Sequence, residues 1–183
     1  MSDSARIVTA EDLEQLPRDD RRYELVEGRL RRMSPVGFRH GRIVTRVLYL
    51  LGRHLEGRNL GAAVTEVGFK LASSPDTVRA PDIAFIRRDR IPSPETKGFL
   101  DGPPDLAIEV ISADDRPSAI RDKAEEYLTR GVTLVLVIDP DERTVAMYRA
   151  LTAPVTASAS EVIDLGDVVP GFRCTVREIF DRA

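Results

Sequence analysis

The stretch that most constrains the fold is DLAIEVIS, residues 105–112. Leu106, Ala107, Ile108, Val110 and Ile111 form a near-continuous apolar run, the composition of a strand covered on both faces. Glu109 stands in the middle of it. An unpaired carboxylate in such a place is strongly disfavoured, because an apolar interior cannot replace the water it loses. Whatever fold the chain adopts must bring a partner to Glu109.

A second apolar run, TLVLVIDP at 133–140, reads as another buried strand, stopped by Pro140. Between the two runs lies DDRPSAIRDKAEEYLTRGV. Pro117 suits a first helical position, Asp114 or Asp115 can cap, Gly131 marks the end, and Ile120, Ala124, Tyr127 and Leu128 make an inward stripe. Upstream, Thr9 followed by Asp12 resembles a capping arrangement for a short helix, AEDLEQL, and YELVEGRLRRM (23–33) reads as a hairpin turning at Glu27-Gly28. From Arg39 to Glu56, Ile43, Val47, Leu51 and Leu55 recur at helical spacing, so an amphipathic helix is expected there. GAAVTEVGFKLA (61–72) and PDIAFI (81–86) are strand-like. Downstream, RTVAMYRA (143–150) reads as an edge strand with SEVIDL (160–165) pairing beside it, and VREIF (176–180) as a short helix or turn. Segments 91–104 and 152–160 are rich in Pro and Ser and read as loops. The order of elements predicts an α/β or α+β fold, a mixed central sheet flanked by helices. At 183 residues, a single domain spanning 1–183 is expected.

Composition closes off several functions. With 42% hydrophobic and 31% charged residues the chain is not disordered. Its apolar runs fall short of the ~20 residues that a membrane-spanning helix needs. The N-terminus lacks the basic-then-apolar pattern of a secretory signal, and the one cysteine, Cys174, allows neither an internal disulfide nor a cysteine metal cluster; a cytoplasmic location is expected. A net charge of −3 argues against a broad basic face for nucleic acid. It leaves room for local patches, the densest being RRDR at 87–90 and the run RRYELVEGRLRR at 21–32, whose simplest reading is solvated surface. No nucleophilic Ser/His/Asp or Cys/His set, phosphate-cradling glycine loop or zinc spacing is present.

Two acids occupy otherwise apolar strands: Asp82, opening PDIAFI, and Glu109. If those strands are neighbours, the two carboxylates converge. Mg²⁺ or Mn²⁺ would suit such a pair, since a hard cation takes one or two carboxylates plus waters and phosphate oxygens, the setting of phosphodiester hydrolysis. A cation near the attacking water would stabilise the transition state. The position two residues after Glu109 is Ile111, so Lys123 is the substitute. From Glu109 to Ser112 the strand runs ~10 Å, and Lys123 lies ~9 Å into the following helix. A helix folding back along the strand returns Lys123 to the level of Glu109.

PD at 81–82, IEV at 108–110 and the displaced Lys123 resemble the PD-(D/E)XK nuclease superfamily in its migrated-lysine form. More narrowly, YELVEG, MSP at 33–35, His40, PDIAFI, IEVIS, DKAEEY, LVIDP and the late PGF at 170–172 resemble the Uma-type family of restriction endonucleases, from about Thr9 to Phe180. The resemblance implies a restriction-endonuclease-like core and a Mg²⁺-type site cutting DNA or a related nucleic acid. It also implies roles for His40, as a base or phosphate contact, and leaves open a nuclease fold that no longer cuts and acts as a binding or interaction module. A homodimer would suit an enzyme that cuts both strands.

Each residue has a plainer reading. Asp82 can cap a turn after Pro81. Glu109 can pair with a buried arginine such as Arg79. Lys123 can be a solvated helix lysine beside a glutamate. His40 can be a satisfied histidine at a helix end, and Glu24, in YELVEG, a strand glutamate facing solvent or a further acidic ligand. Tyr127 reads as core and His54 as surface.

Overall fold

The computed structural model describes residues 7–17, 22–113, 115–150 and 152–181. In chain order its elements are α1 (Ala10–Glu14), β1 (Arg22–Val26), β2 (Arg29–Met33), α2 (Phe38–Leu55), β3 (Gly61–Val64), β4 (Phe69–Ala72), β5 (Thr77–Arg79), β6 (Ile83–Arg87), β7 (Leu100–Asp101), β8 (Leu106–Val110), α3 (Pro117–Thr129), β9 (Leu134–Asp139), β10 (Thr144–Tyr148), β11 (Val155–Ser158), β12 (Val162–Asp164), β13 (Arg173–Thr175) and α4 (Val176–Phe180).

The apolar run around Glu109 is β8, and it lies inside a six-stranded sheet of order β11-β10-β9-β8-β6-β3. β8 and β9 are parallel, joined by the α3 crossover; β6 pairs β8 antiparallel with Ile83 opposite Ile108 and Ala84 opposite Ala107. Helices cover both faces. Ile83, Phe85, Leu106, Ile108, Leu134 and Leu136 point to the side where α2 packs through Ile43, Val47, Leu50 and Leu51. The alternate residues Ala84, Ala107, Val135 and Val137 meet Ala124 and Tyr127 of α3. Strands buried on both faces need apolar residues at successive positions, which is why these segments lack alternation.

A second sheet, β2-β1-β5-β4-β7, carries the hairpin. Its turn is the expected Glu27-Gly28, both at positive φ (48° and 72°). That backbone suits a two-residue hairpin turn, and a Cβ on Gly28 would fall 2.4 Å from Ile7 Cγ2. α1 starts at the expected capping box: Asp12 N–H donates to Thr9 Oγ1 at 3.1 Å, and Thr9 N–H to Asp12 Oδ2 at 3.0 Å.

Several expectations need correction. Segment 61–72 is two strands in different sheets, broken at Glu66, whose φ is +56°. β10 is not an edge: it pairs both β9 and β11. The edge is β11, within the supposed loop 152–160; its one buried residue is Ala157, and so little inward apolar surface gave no strand signal. β12 pairs β13 rather than β10. The residue opening α3 is Arg116, with no side-chain cap, while Asp115 accepts the Ser112 N–H at 2.8 Å; Asp114 lies outside the described residues. The 87–90 cluster lies at the surface as expected, with none of its residues buried, and Arg90 there also pairs with buried Asp105 at 2.8 Å. No helix among the described residues is long and apolar enough to cross a membrane.

Candidate active site

The site forms where the chain leaves one sheet for the other. β5 ends at Arg79, and Ala80-Pro81-Asp82 leads into β6. The antiparallel register of β6 and β8, carried one step past Ile83–Ile108, sets Asp82 opposite Glu109. The Val110 N–H donates to Asp82 Oδ2 at 2.7 Å and fixes that carboxylate against β8. His40, in the first turn of α2, reaches the same oxygen through Nε2 at 3.1 Å.

α3 folds back as predicted. Lys123 Nζ lies 2.9 Å from Glu109 Oε1 and 3.2 Å from Glu24 Oε1. Glu24 comes from β1, where the register that pairs Leu25 with Val78 sets it opposite Arg79. It is only 3% exposed, and it accepts from Arg79 Nη1 at 2.7 Å and from the Ala80 N–H at 3.1 Å. Arg79 also holds Glu126 of α3, its Nε donating at 2.9 Å. Tyr127 Oη donates to Glu109 Oε1 at 2.8 Å. All five residues singled out in the sequence (Glu24, His40, Asp82, Glu109 and Lys123) therefore meet in one cleft of about 1090 Å³. A second cavity of about 550 Å³, with mixed walls that include Leu13, Phe99, Glu14 and Arg22, adjoins it across Glu24 and Asp82.

Glu126 was not singled out in the sequence, and Arg79 and Tyr127 take roles other than those expected. Arg79 pairs with Glu24 and Glu126 rather than with Glu109, and Tyr127 is both core and hydrogen-bond donor. The available signal was helical: Glu126 and Tyr127 lie three and four residues after Lys123, on its own face of α3. His54 is elsewhere, its Nε2 3.0 Å from the Pro170 carbonyl and its ring packed edge-on against Phe172.

The electrostatics follow from burial and neighbours. Burial, with the charges of Asp82 and Glu24 behind it, outweighs Lys123 and pushes the Glu109 carboxyl up to about 7. Burial opposes the Lys123 ammonium too, but Glu109 and Glu24 prevail and raise its pKa, so it stays charged. Glu24 is also buried, yet Lys123 and Arg79 hold its pKa below the ordinary value. The hydrogen bond to Asp82 raises His40 against the opposing effect of burial, and His40 Nδ1 is buried without a partner.

A divalent ion fits this chemistry. Among the described residues, donors fall on Asp82 Oδ2 and Glu109 Oε1, and none on Asp82 Oδ1 or Glu109 Oε2. Burial raises the Glu109 carboxyl's pKa even with Lys123 beside it, so a further cation there would favour its ionised form. Among the described residues no three His, Cys, Asp or Glu side chains form a ready-made metal cage. Two carboxylates match Mg²⁺, which keeps most of its water, better than an ion needing a full protein cage.

A mixed sheet wrapped by helices, presenting two carboxylates and a lysine beside a hairpin sheet, is a restriction-endonuclease-like α/β fold. The chain belongs to the Uma2 family, described as "Putative restriction endonuclease", whose model matches residues 10–177. Among solved structures it resembles a protein from Anabaena variabilis ATCC 29413 titled "a putative nuclease belonging to DUF820". The TM-score is 0.84 at 20% sequence identity, covering 95% of this chain and 98% of that one. None of the curated proteins matches the chain.

Proposed function

We propose that this chain is a metal-dependent endonuclease that hydrolyses phosphodiester bonds of DNA. Asp82 and Glu109 would hold Mg²⁺ or Mn²⁺, and the bound ion would supply charge neutralisation at the phosphate and a more acidic water. Lys123, kept charged by Glu109 and Glu24, orients the attacking water and offsets charge on the phosphate oxygens. Glu24 braces Lys123 as a second carboxylate beside Glu109, its Oε1 3.2 Å from Nζ. His40 holds Asp82 in place and can take a proton at Nδ1, which is buried and unpaired. A homodimer would provide the two sites needed to cut both strands.

The observation that carries this reading is the meeting of Asp82, Glu109 and Lys123 from three distant elements. The test is cleavage of plasmid and linear DNA with Mg²⁺ or Mn²⁺. Asp82→Ala and Glu109→Gln should each abolish it while circular dichroism stays unchanged; undiminished cutting in both would refute the assignment.

One observation favours a binding module that does not cut: Lys123 and Tyr127 already satisfy Glu109 Oε1. Calorimetry separates the two. Mn²⁺ binding lost in Glu109→Gln supports the nuclease, and no binding at millimolar metal supports the module.

A further inference from the structure

The helix that delivers His40 to the site carries an unusual outer surface. α2 contains Arg39, Arg42, Arg46 and Arg53 and no acidic residue, in a chain whose net charge is −3. Phe38, Arg42, Arg46, Tyr49 and Arg53 fall within one face at helical spacing, opposite the buried Ile43, Val47, Leu50 and Leu51. Phe38 is 82% exposed and Tyr49 53%. Two rings so open contribute little to the core. Each is flanked by guanidinium: Arg42 lies 5.7 Å from the Phe38 centroid, and Arg46 and Arg53 lie 5.3 and 5.9 Å from that of Tyr49.

The arginines are not consumed by carboxylates. Among the described residues Arg42 and Arg53 make no ion pair, and Arg46 Nε donates to the Glu178 carbonyl at 2.8 Å. Glu178, the acid nearest Arg46 and Arg53 in effect, is bound into the Thr175 capping box. Arg39 alone turns aside, to Asp141 and the Pro140 carbonyl. Cations alternating with open rings match a strand whose phosphates and bases alternate: guanidiniums take the phosphates and rings stack on bases. Paired bases inside a duplex would have no use for the rings. Phe38 and Tyr49 lie roughly 16 Å apart along the helix, and several nucleotides at about 3.4 Å or more each can bridge that distance.

We propose that the outer face of α2 is a docking track for single-stranded nucleic acid running away from the cleft. It deepens the nuclease reading, on which it rests for its nucleic-acid partner, by making an unpaired or locally melted strand the preferred substrate.

The test is fluorescence anisotropy with a labelled oligo-dT strand and a duplex of equal length. It uses the full chain carrying Asp82→Ala, without divalent metal, so that nothing is cut. The single strand should bind more tightly than the duplex. Arg42→Gln and Arg53→Gln should each flatten the log–log salt dependence by about 0.7. Phe38→Ala and Tyr49→Ala should each weaken binding roughly tenfold and leave the salt slope unchanged. All four side chains are exposed, so melting temperatures should not move.

Ring variants that bind like the parent would overturn the proposal, as would equal affinity for strand and duplex. Sedimentation showing that Phe38→Ala and Tyr49→Ala convert a dimer to a monomer would also overturn it, because the face would then be covered by a second copy. Failure of the track and failure of the nuclease reading are distinguishable. Asp82-dependent cleavage by the native chain, with binding indifferent to these variants, removes the track alone. No metal-dependent cleavage, with ring and arginine effects intact, removes the nuclease and leaves the track.

Discussion

Lys123 Nζ stands 2.9 Å from Glu109 Oε1 although the acid lies on β8 and the lysine within α3, the helix that follows it. Ile111, which holds the position two residues past the acid, packs instead with the apolar residues between the sheet and α3. Here the cation reaches the cleft from the helix and not from the strand. Lys123→Met should lower cleavage by roughly 10²-fold or more, the usual cost of losing a preorganised charge. It also leaves Glu24 and Glu109 without their shared cation, so melting temperature should fall. Ile111→Lys in that background restores part of the activity if charge at this spot is what matters. No recovery, in a double variant that folds, would place the lysine's role in its exact helical approach.

Metal affinity should depend on pH through Glu109. Its carboxyl is pushed up to about 7, chiefly by burial. Below that value the proton competes with the ion, so Mg²⁺ or Mn²⁺ affinity should fall about tenfold per pH unit and level off above it. Stability of the metal-free protein moves the other way. A carboxyl whose folded pKa lies above its unfolded one favours folding at low pH, and that contribution is lost as pH rises from about 4.5 toward 7. Added divalent ion should recover it. Calorimetric titrations at pH 6 and 8, paired with melting curves, check both signs; flat affinity across that interval would remove Glu109 from the ligand set.

Much of this arrangement was legible in the sequence because it rests on local rules. The apolar runs of β8 and β9 have no alternation, the turn at Glu27-Gly28 needs positive φ, and the rise per residue of strand and helix returns Lys123 to Glu109. What the chain hid was pairing between distant segments. Nothing in YELVEG says that Glu24 faces Arg79, since β5 is only three residues long and its register with β1 is a tertiary fact. β11 was invisible for a related reason. An edge strand needs one inward residue, and Ala157 is too small to announce itself.

Arg79 is the structural hinge of the acidic cluster, joining Glu24 of the hairpin sheet to Glu126 of α3. Both partners are largely buried, and burial of a carboxylate is tolerated only while its cation remains. Arg79→Met should therefore cost about 3–5 kcal/mol, or roughly 10 °C in melting temperature for a chain this size. Glu126→Gln should cost far less, because Arg79 keeps Glu24. A melting temperature unchanged in Arg79→Met would mean that Lys123 alone can neutralise Glu24.

Tyr127→Phe isolates one hydrogen bond inside a fully buried ring. The ring stays packed against Ala107, Val135 and Val137, so the core is kept. Only the hydroxyl that donates to Glu109 Oε1 at 2.8 Å is removed. Burial and the nearby Glu109 charge raise the phenol's pKa well above the ordinary tyrosine value, so it remains a donor at any working pH. A bond to a charged acceptor contributes about 1.5–3 kcal/mol, and here it favours the ionised form of Glu109. Its loss should shift the pH dependence of metal binding upward by about one unit. The activity of Tyr127→Phe should drop at pH 7 and recover by pH 9. A loss equal at both pH values would mean that the hydroxyl acts on something other than Glu109.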